Sequence, residues 1–338
     1  TFTFKGTDGL AAPTTAVVSV VTNDLGNTGT GGALQSNGGV ASTFQIGVIP
    51  QVFVIDNSDQ VADDASAGTA ANPFNTIADF NALASDGAND VIYLKHGTGT
   101  YAEGGGFTLL AGQQLVGQGE ALSFTNPVTG EMVVFGAGAA GTTPTVSITG
   151  AGNHAVTLAA NNTLKGLNLA TTLGSQTALS DGNGTVGTLT VSNVDISGSG
   201  MAVDIDQGGA LNVTIDSLSS TGSTQQGVQL AATGAALTGT FTATTGAISG
   251  ATGPGFLVGD GSGTAATGGA VAVNYGGTVN AAGSAAAVSI EDRVVGAGNV
   301  TLSGNITRAG GNGTTINVDD IASGAITFSG ANSTHGGT

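Results

Sequence analysis

The stretch GMAVDIDQ at residues 200–207 shows the pattern that decides the fold. In an extended strand successive side chains point to opposite faces, so Val203 and Ile205 are expected on one face and Asp204 and Asp206 on the other. Similar short apolar segments return along the chain, separated by turns of small residues. One anchor residue per segment gives steps of 23, 24, 25, 29, 31 and 28 residues through the series Val156, Leu179, Val203, Val228, Leu257, Val288 and Ile316.

These steps predict a parallel β-helix. One rung of that fold takes roughly 20–30 residues, arranged as three short strands joined by tight turns. Strand-like runs ahead of the series, including 90–94, 132–136 and 145–150, bring the expected total to about ten rungs and the rod to roughly 50 Å, because each rung rises ~4.8 Å. Leucine-rich repeats need a Leu/Asn ladder that is missing here, and propeller blades need about 40 residues.

The composition favours the same all-β fold class. The chain has 338 residues, including 60 glycines; 40% of its residues are hydrophobic, only 4% are aromatic, and Trp is absent. The core must therefore be built from small and β-branched side chains, which suit strands better than helices. The absence of cysteine excludes disulfides, thiolate metal sites and cysteine nucleophiles.

The charge balance excludes several classes of partner. The formal net charge is −17, with five Lys and Arg residues in total. Nucleic-acid binding needs a cationic surface, so no nucleic-acid partner is expected.

No apolar run approaches the ~18 residues of a membrane-spanning helix, so no membrane insertion is expected. The chain starts at Thr1 without a signal peptide, and we interpret it as a processed product or an excised segment.

Two regions are expected along the chain. Residues 1–50 are predicted to form a flanking β segment, with a hairpin over 1–22 and a linker or long loop over 23–42. Residues 51–338 are predicted to form the β-helix, with a short helix over 72–84 that caps its first turn. Asn75 or Thr76 is expected to begin this helix, because both residue types cap helix N-termini.

Several motifs resemble the pectin-lyase-like β-helices of large bacterial surface and secreted proteins. They are NPF at 72–74, DVIYL at 90–94, GQQLVGQG at 112–119 and VTLAANNTLKGLNL at 156–169. The resemblance implies a right-handed parallel β-helix over roughly 52–334 and an extracellular or cell-surface location. Many relatives cleave polysaccharides. Residues 1–22 separately resemble the last strands of cadherin-like or immunoglobulin-like modules.

Asp204 and Asp206 are the first candidate site. We favour a solvated outer face for both carboxylates, because Val203 and Ile205 would fill the core. The alternatives stay open: strand residues two apart are ~6.6 Å apart, which suits the acid pair of an inverting polysaccharide hydrolase or part of a calcium site.

The other acidic residues are expected to lie at turns. Glu291 and Asp292 precede Arg293, and a local ion pair on a solvated turn is favoured over a catalytic site. Calcium is a further alternative at four aspartates beside turn sequences, since carboxylate and neutral oxygens are its usual ligands. These are Asp181 and Asp260, in the loops 180–185 and 259–264, and the pair Asp319 and Asp320.

The histidines suggest little chemistry. Lys95 and His96 lie near Tyr93 and Tyr101, an arrangement that suits glycan binding, although a place on the rim of the cap is favoured. His154 is expected at a corner of a rung.

The sequence therefore predicts a non-catalytic extracellular structural protein, either a rigid spacer or a building block of a bacterial adhesin or filament. Head-to-tail pairing with a second copy through residues 1–22 is one expected contact, and extracellular glycans are another class of partner. No cofactor is expected, apart from calcium. A polysaccharide lyase or hydrolase and a carbohydrate-binding adhesion module are the alternatives.

Overall fold

A computed structural model describes residues 10–20, 42–59, 67–139, 141–260, 267–282, 284–309 and 314–330. It contains one short helix, α1, and 28 strands. In chain order they are β1 (Thr14–Val20), β2 (Ser42–Val48), β3 (Val52–Ile55), α1 (Ile77–Asn81), β4 (Val91–Leu94), β5 (Thr100–Glu103), β6 (Phe107–Thr108), β7 (Gln114–Gly117), β8 (Ala121–Thr125), β9 (Met132–Ala137), β10 (Thr145–Ile148), β11 (His154–Thr157), β12 (Thr163–Thr171), β13 (Thr177–Ser180), β14 (Thr188–Gly198), β15 (Met201–Ile205), β16 (Gly209–Leu218), β17 (Ser220–Thr221), β18 (Val228–Leu230), β19 (Leu237–Thr245), β20 (Ala247–Ser249), β21 (Phe256–Val258), β22 (Ala272–Tyr275), β23 (Thr278–Ala282), β24 (Val288–Arg293), β25 (Val300–Leu302), β26 (Ile306–Ala309), β27 (Ile316–Ile321) and β28 (Ile326–Phe328).

The strands stack into a parallel β-helix, as the repeat predicts. Sheet I follows the order β3, β4, β7, β12, β14, β16, β19, β22, β25, β28, with β5 and β10 beside it. Sheet II follows β6, β11, β13, β15, β18, β21, β24, β27, and sheet III follows β17, β20, β23, β26. Every neighbouring pair in these sheets is parallel, for example β14 with β16 and β15 with β18. The ten successive strands of sheet I agree with the expected number of rungs.

The anchor residues of the repeat fall on one ladder of sheet II, with one correction. Val156, Leu179, Val203 and Val228 lie opposite one another in successive strands. Val228 then lies opposite Phe256, and not opposite Leu257 as the sequence suggested. The larger Phe256 side chain occupies the core, so Leu257 points to the other face of the sheet.

One apolar core runs along the stack, from Phe53 in the first turn to Ile306 near the last. Most of its residues are Val, Ile, Leu and Ala, as the composition predicts. In its later rungs Phe256 packs on Phe241, at a ring-centroid distance of 6.3 Å, and on Tyr275, at 5.4 Å.

The bends of the rungs use residues that tolerate a positive φ. Gly166 in β12 has φ 69° and Asn193, beside it in β14, has φ 51°. Glycine has no Cβ to clash in this left-handed region, and Asn is the non-glycine residue type that enters it most readily. Because these two residues are neighbours in adjacent strands, the bend of one rung lies directly on the bend of the next.

Helix α1 covers the first turn of the core, although it is shorter than the predicted 72–84. Thr76 is the N-cap, and its hydroxyl accepts a hydrogen bond from the Asp79 amide at 3.1 Å. Ile77 and Phe80 are completely buried, and Phe80 packs on Phe107 with ring centroids 6.0 Å apart. Helix α1 therefore closes this end of the β-helix.

Two antiparallel strand pairs lie outside the stack. β1 (Thr14–Val20) pairs with β2 (Ser42–Val48), whereas the sequence predicted a hairpin closed within residues 1–22. The predicted first strand, over 1–6, lies outside the described residues. Nearly all of the predicted linker over 23–42 lies outside them as well. The run 132–136, predicted as a rung, instead forms β9, which pairs with β8. The β8–β9 hairpin packs against the outer face of sheet I, where Tyr93, Val116 and Leu122 form a second small core.

Candidate functional site

Sheet II carries the candidate acidic site on the face opposite the core. Along this face Thr157, Ser180, Asp204, Gln229, Leu257, Ser289 and Asn317 lie opposite one another in successive strands. We call this series the outer ladder. Val203 and Ile205 are completely buried in the core, so the alternation expected from GMAVDIDQ is confirmed for these two residues and for Asp204.

Asp204 is not freely solvated, however. It is partly buried in the outer ladder. Burial, followed by the negative charges of Asp206 and Asp181, raises the pKa of Asp204 to about 7. A carboxyl in this setting is protonated over part of the neutral pH range. The expectation of a plainly solvated face is therefore wrong for Asp204.

Asp181 lies one rung before Asp204, and its carboxylate accepts hydrogen bonds from the turn that follows Asp204. One oxygen of its carboxylate, Oδ2, accepts hydrogen bonds from the amides of Asp206 and Gln207, each at 2.8 Å. The other, Oδ1, accepts the Asn183 amide at 3.2 Å. Asp206 in turn accepts the Gln207 side-chain amide at 2.7 Å. These bonds give Asp181 a structural role between two rungs.

The Asp181, Asp204 and Asp206 group is an acidic cluster without a cation. Within the described ranges the one ion pair joins Lys95 to Asp56, at 3.2 Å, far along the stack. A carboxyl whose pKa is raised, with two further carboxyl groups beside it, is an arrangement suited to general acid catalysis. It is the one chemical capacity that these aspartates offer together.

A second acidic group lies near the other end of sheet II. Glu291 and Asp292 are buried. The Thr267 hydroxyl oxygen lies 3.0 Å from Asp292 Oδ2 and 3.2 Å from Asp260 Oδ1, so it joins two carboxyls that are distant in sequence. Glu291 accepts hydrogen bonds from the Ser289 hydroxyl and from the Asn317 amide, the latter at 3.1 Å.

Arg293 corrects the expected ion pair of this segment. Its guanidinium is buried and donates to the backbone carbonyls of Gly268, Val271 and Gly298. Burial lowers the pKa of Arg293 to about 10. The expected solvated turn with a local Glu291 or Asp292 ion pair is therefore wrong, because backbone oxygens satisfy the cation.

The calcium candidates do not converge into a metal centre. Asp319 and Asp320 are exposed on β27, and the Asp320 amide donates to Asp319 Oδ1 at 3.0 Å. Most of the loop 259–264 lies outside the described residues, beyond Asp260. In the part of the chain that the structure describes, no three His, Asp or Glu side chains are placed to hold a metal ion together.

The two tyrosines beside Lys95 and His96 are both buried. Tyr93 and Tyr101 are each 1% exposed. The Tyr101 hydroxyl donates to the Lys95 carbonyl, at 2.7 Å. Lys95 and His96 nevertheless border a cleft at the carboxyl ends of β3 and β4.

A cleft that the sequence did not predict lies near helix α1. It has a volume of about 690 Å³ and lies between helix α1 and the glycine run 104–106. Glu103 and His154 line it, and His154 Nδ1 has no hydrogen-bond partner among the described residues. Burial raises the pKa of Glu103 and lowers that of His154. The two residues lie 51 positions apart, so only the stacking of rungs brings them together.

No family model, curated protein or solved structure matches this chain. Among the described helices, none is long and apolar enough to span a membrane.

Proposed function

We propose that the chain is a non-catalytic structural protein, a rigid β-helical rod that serves as a spacer or building block of a bacterial cell-surface adhesin or filament. The observation that carries this proposal is the unbroken ladder of ten strands in sheet I over one continuous core. Each turn contacts its neighbours through backbone hydrogen bonds, and such stacks are stiff along their axis. The resemblance of the opening motifs to bacterial surface β-helices supports an extracellular location.

The two ends of the rod differ, which supports assembly with a second copy. Helix α1 covers one end. At the other end β26, β27 and β28 are the last strands of their sheets, and their outer backbone groups have no strand partner among the described residues. Apolar side chains there are only partly buried: Ile316, Ile321, Ile326 and Phe328. Free strand edges recruit further strands.

The donor that we favour is the N-terminal segment, as the sequence suggested. In its described part β1 alternates partly buried and exposed residues, and Val17 is 60% exposed. A strand of this pattern offers one apolar face to a new rung.

Electron microscopy of the purified chain tests the filament form of this proposal. We expect fibres that shorten to single rods of roughly 50 Å when residues 1–22 are removed. Fibres that persist after the truncation contradict strand donation, and single rods from both proteins contradict self-assembly. Repeating the preparation with millimolar calcium tests whether the acidic face contributes.

A second candidate function is polysaccharide cleavage, and the raised pKa of Asp204 favours it. In this reading Asp204 is the general acid and Asp206 the base. A screen of glycans with the purified chain and with Asp204→Asn tests it. Cleavage that the substitution abolishes supports an enzyme, whereas cleavage that is unchanged excludes this site.

A further inference from the structure

A small cleft opens at the carboxyl ends of β3, β4 and β7, on the side covered by the β8–β9 hairpin. Its volume is about 390 Å³, within the ~300–1,000 Å³ of small-molecule sites. Asp56, Lys95, His96 and Gln118 line it on the β-helix side, and Phe135 lines it from the hairpin. Charged, amide and aromatic groups therefore meet in one concave place.

Tyr93 also borders this cleft and gives the first sign of a missing ligand. Its hydroxyl is buried and has no hydrogen-bond partner among the described residues. Gly136 of β9 lies directly over it, and a methyl group at Gly136 would overlap the Tyr93 hydroxyl. Buried polar groups in native proteins are almost always hydrogen-bonded. Because Gly136 covers the hydroxyl, a bound oxygen atom reaches it only if the β8–β9 hairpin moves away from Tyr93.

The cleft holds further unused donors. Lys95 Nζ contacts Asp56 Oδ2 at 3.2 Å, and Asp56 also accepts the Ser58 hydroxyl at 2.6 Å. The ammonium group has three N–H bonds, so donors remain after this contact. Gln118 uses its Oε1 to accept the His96 amide at 2.7 Å, which fixes the side chain and leaves its NH₂ group for a ligand.

Phe135 provides an apolar wall that is held in place. Its ring contacts Phe124 of the facing strand edge to face, with centroids 6.2 Å apart and planes at 78°. Aromatic rings in such pairs are stabilised beyond the burial of their area. The Phe135 ring is therefore held in its orientation by Phe124, within the hairpin itself.

We propose that this cleft binds one neutral hexopyranose unit of a glycan. Adjacent hydroxyls of a sugar match the paired donor and acceptor of Lys95 and Asp56, and the C–H face of the ring matches Phe135. The charges of Lys95 and Asp56 balance, so the site itself calls for no ionic group. The net charge of −17 works against acidic sugars. This binding does not depend on the proposed structural role.

Saturation-transfer NMR with methyl glucoside, methyl galactoside and methyl mannoside at millimolar concentration tests the proposal, with galacturonate as the acidic comparison. We expect transfer from at least one neutral glycoside and none from galacturonate. Lys95→Met should weaken binding by about tenfold, because it removes a charged hydrogen-bond donor. Lys165→Met is the matched control and should bind as the parent does, because Lys165 is a partly buried lysine two strands from Tyr93 that does not line the cleft.

Tyr93→Phe separates binding from folding. If a sugar oxygen satisfies the hydroxyl, the substitution weakens glycoside binding severalfold while the urea midpoint of the free protein stays equal or rises. The absence of transfer from all three neutral glycosides overturns the proposal. Transfer that survives both Lys95→Met and Tyr93→Phe overturns it as well, because the sugar then binds elsewhere.

Discussion

Replacing Asp204 by asparagine should stabilise the protein in a pH-dependent way. Burial and the charges of Asp206 and Asp181 raise the pKa of Asp204 from 3.8 to about 7. The folded protein therefore holds this proton more tightly than the unfolded chain does. The stability that this proton contributes is complete below the pKa of Asp204 in the unfolded chain. It is lost as the pH rises through the higher pKa of Asp204 in the folded protein. Asparagine has no proton to lose, so the variant avoids that loss.

The size of the effect follows from the shift. About three pKa units at ~1.4 kcal/mol each give an upper bound of ~4 kcal/mol. Asp204 is partly exposed, and solvent screening reduces this to about 2 kcal/mol. We therefore expect Asp204→Asn to raise the free energy of unfolding by this amount at about pH 8 and to leave it nearly unchanged at about pH 4.

Urea unfolding followed by circular dichroism measures this difference at both pH values. The matched control is Asp319→Asn, an exposed aspartate on the same sheet, for which the change should stay within ~0.5 kcal/mol. Equal stabilisation of Asp204→Asn at both pH values would refute the reasoning, since it would show an effect independent of ionisation. No stabilisation at the higher pH would show that Asp204 ionises without cost.

Three further substitutions test the packing of the rod, each by the urea midpoint. Phe256→Ala removes a completely buried ring from the core and should lower the free energy of unfolding by ~3–5 kcal/mol. Its control is Val17→Ala, at an exposed site on β1, which should change stability by less than ~0.5 kcal/mol. Similar losses from both substitutions would argue against the core register. Arg293→Met leaves three buried carbonyl contacts unmade and should cost ~3 kcal/mol or more; an unchanged midpoint would mean that water replaces the guanidinium. Thr76→Ala removes the N-cap of helix α1 and should cost ~1 kcal/mol, with Thr76→Ser as the variant that should restore it.

The period of the fold was readable from the sequence because small turns separate apolar runs at nearly constant steps. The register was readable wherever one apolar residue dominates a segment, as at Val203. The predicted register was wrong by one position at GFLVG (255–259). Phe256, Leu257 and Val258 are adjacent apolar residues there, so alternation alone does not indicate which of them face the core. The structure places Phe256 inside, where its ring packs on Phe241 and Tyr275.

The β8–β9 hairpin shows a second limit of the sequence pattern. The run 132–136 is apolar like a rung, yet it pairs antiparallel with β8. Asn126 makes the difference, because its side-chain oxygen accepts the amides of Val128 and Thr129 and so closes a tight turn. A local turn of this kind competes with stacking, and strand propensity does not distinguish the two outcomes.

The sequence predicted where Asp204 lies on its strand but not its burial or its raised pKa. Alternation put Asp204 on the outer face of its strand. The raised pKa of Asp204 depends on its burial and on the charges of Asp206 and Asp181, and Asp181 lies 23 residues earlier in the sequence, in the preceding rung. The cleft lined by Glu103 and His154 depends on stacking in the same way, so the linear pattern carries no sign of it. For the cleft bordered by Tyr93, the sequence drew attention to Lys95 and His96 but not to Asp56, Gln118 or Phe135.

The difference between the two ends of the rod also implies an order in time. A ribosome releases the chain from its N-terminus, so the turn closed by helix α1 is complete before the later rungs exist. Each later rung then needs only the edge of the rung before it, across a loop of roughly 20–30 residues. We therefore expect the capped end to act as the template when the chain folds during synthesis, with rungs added along the axis in the direction of synthesis.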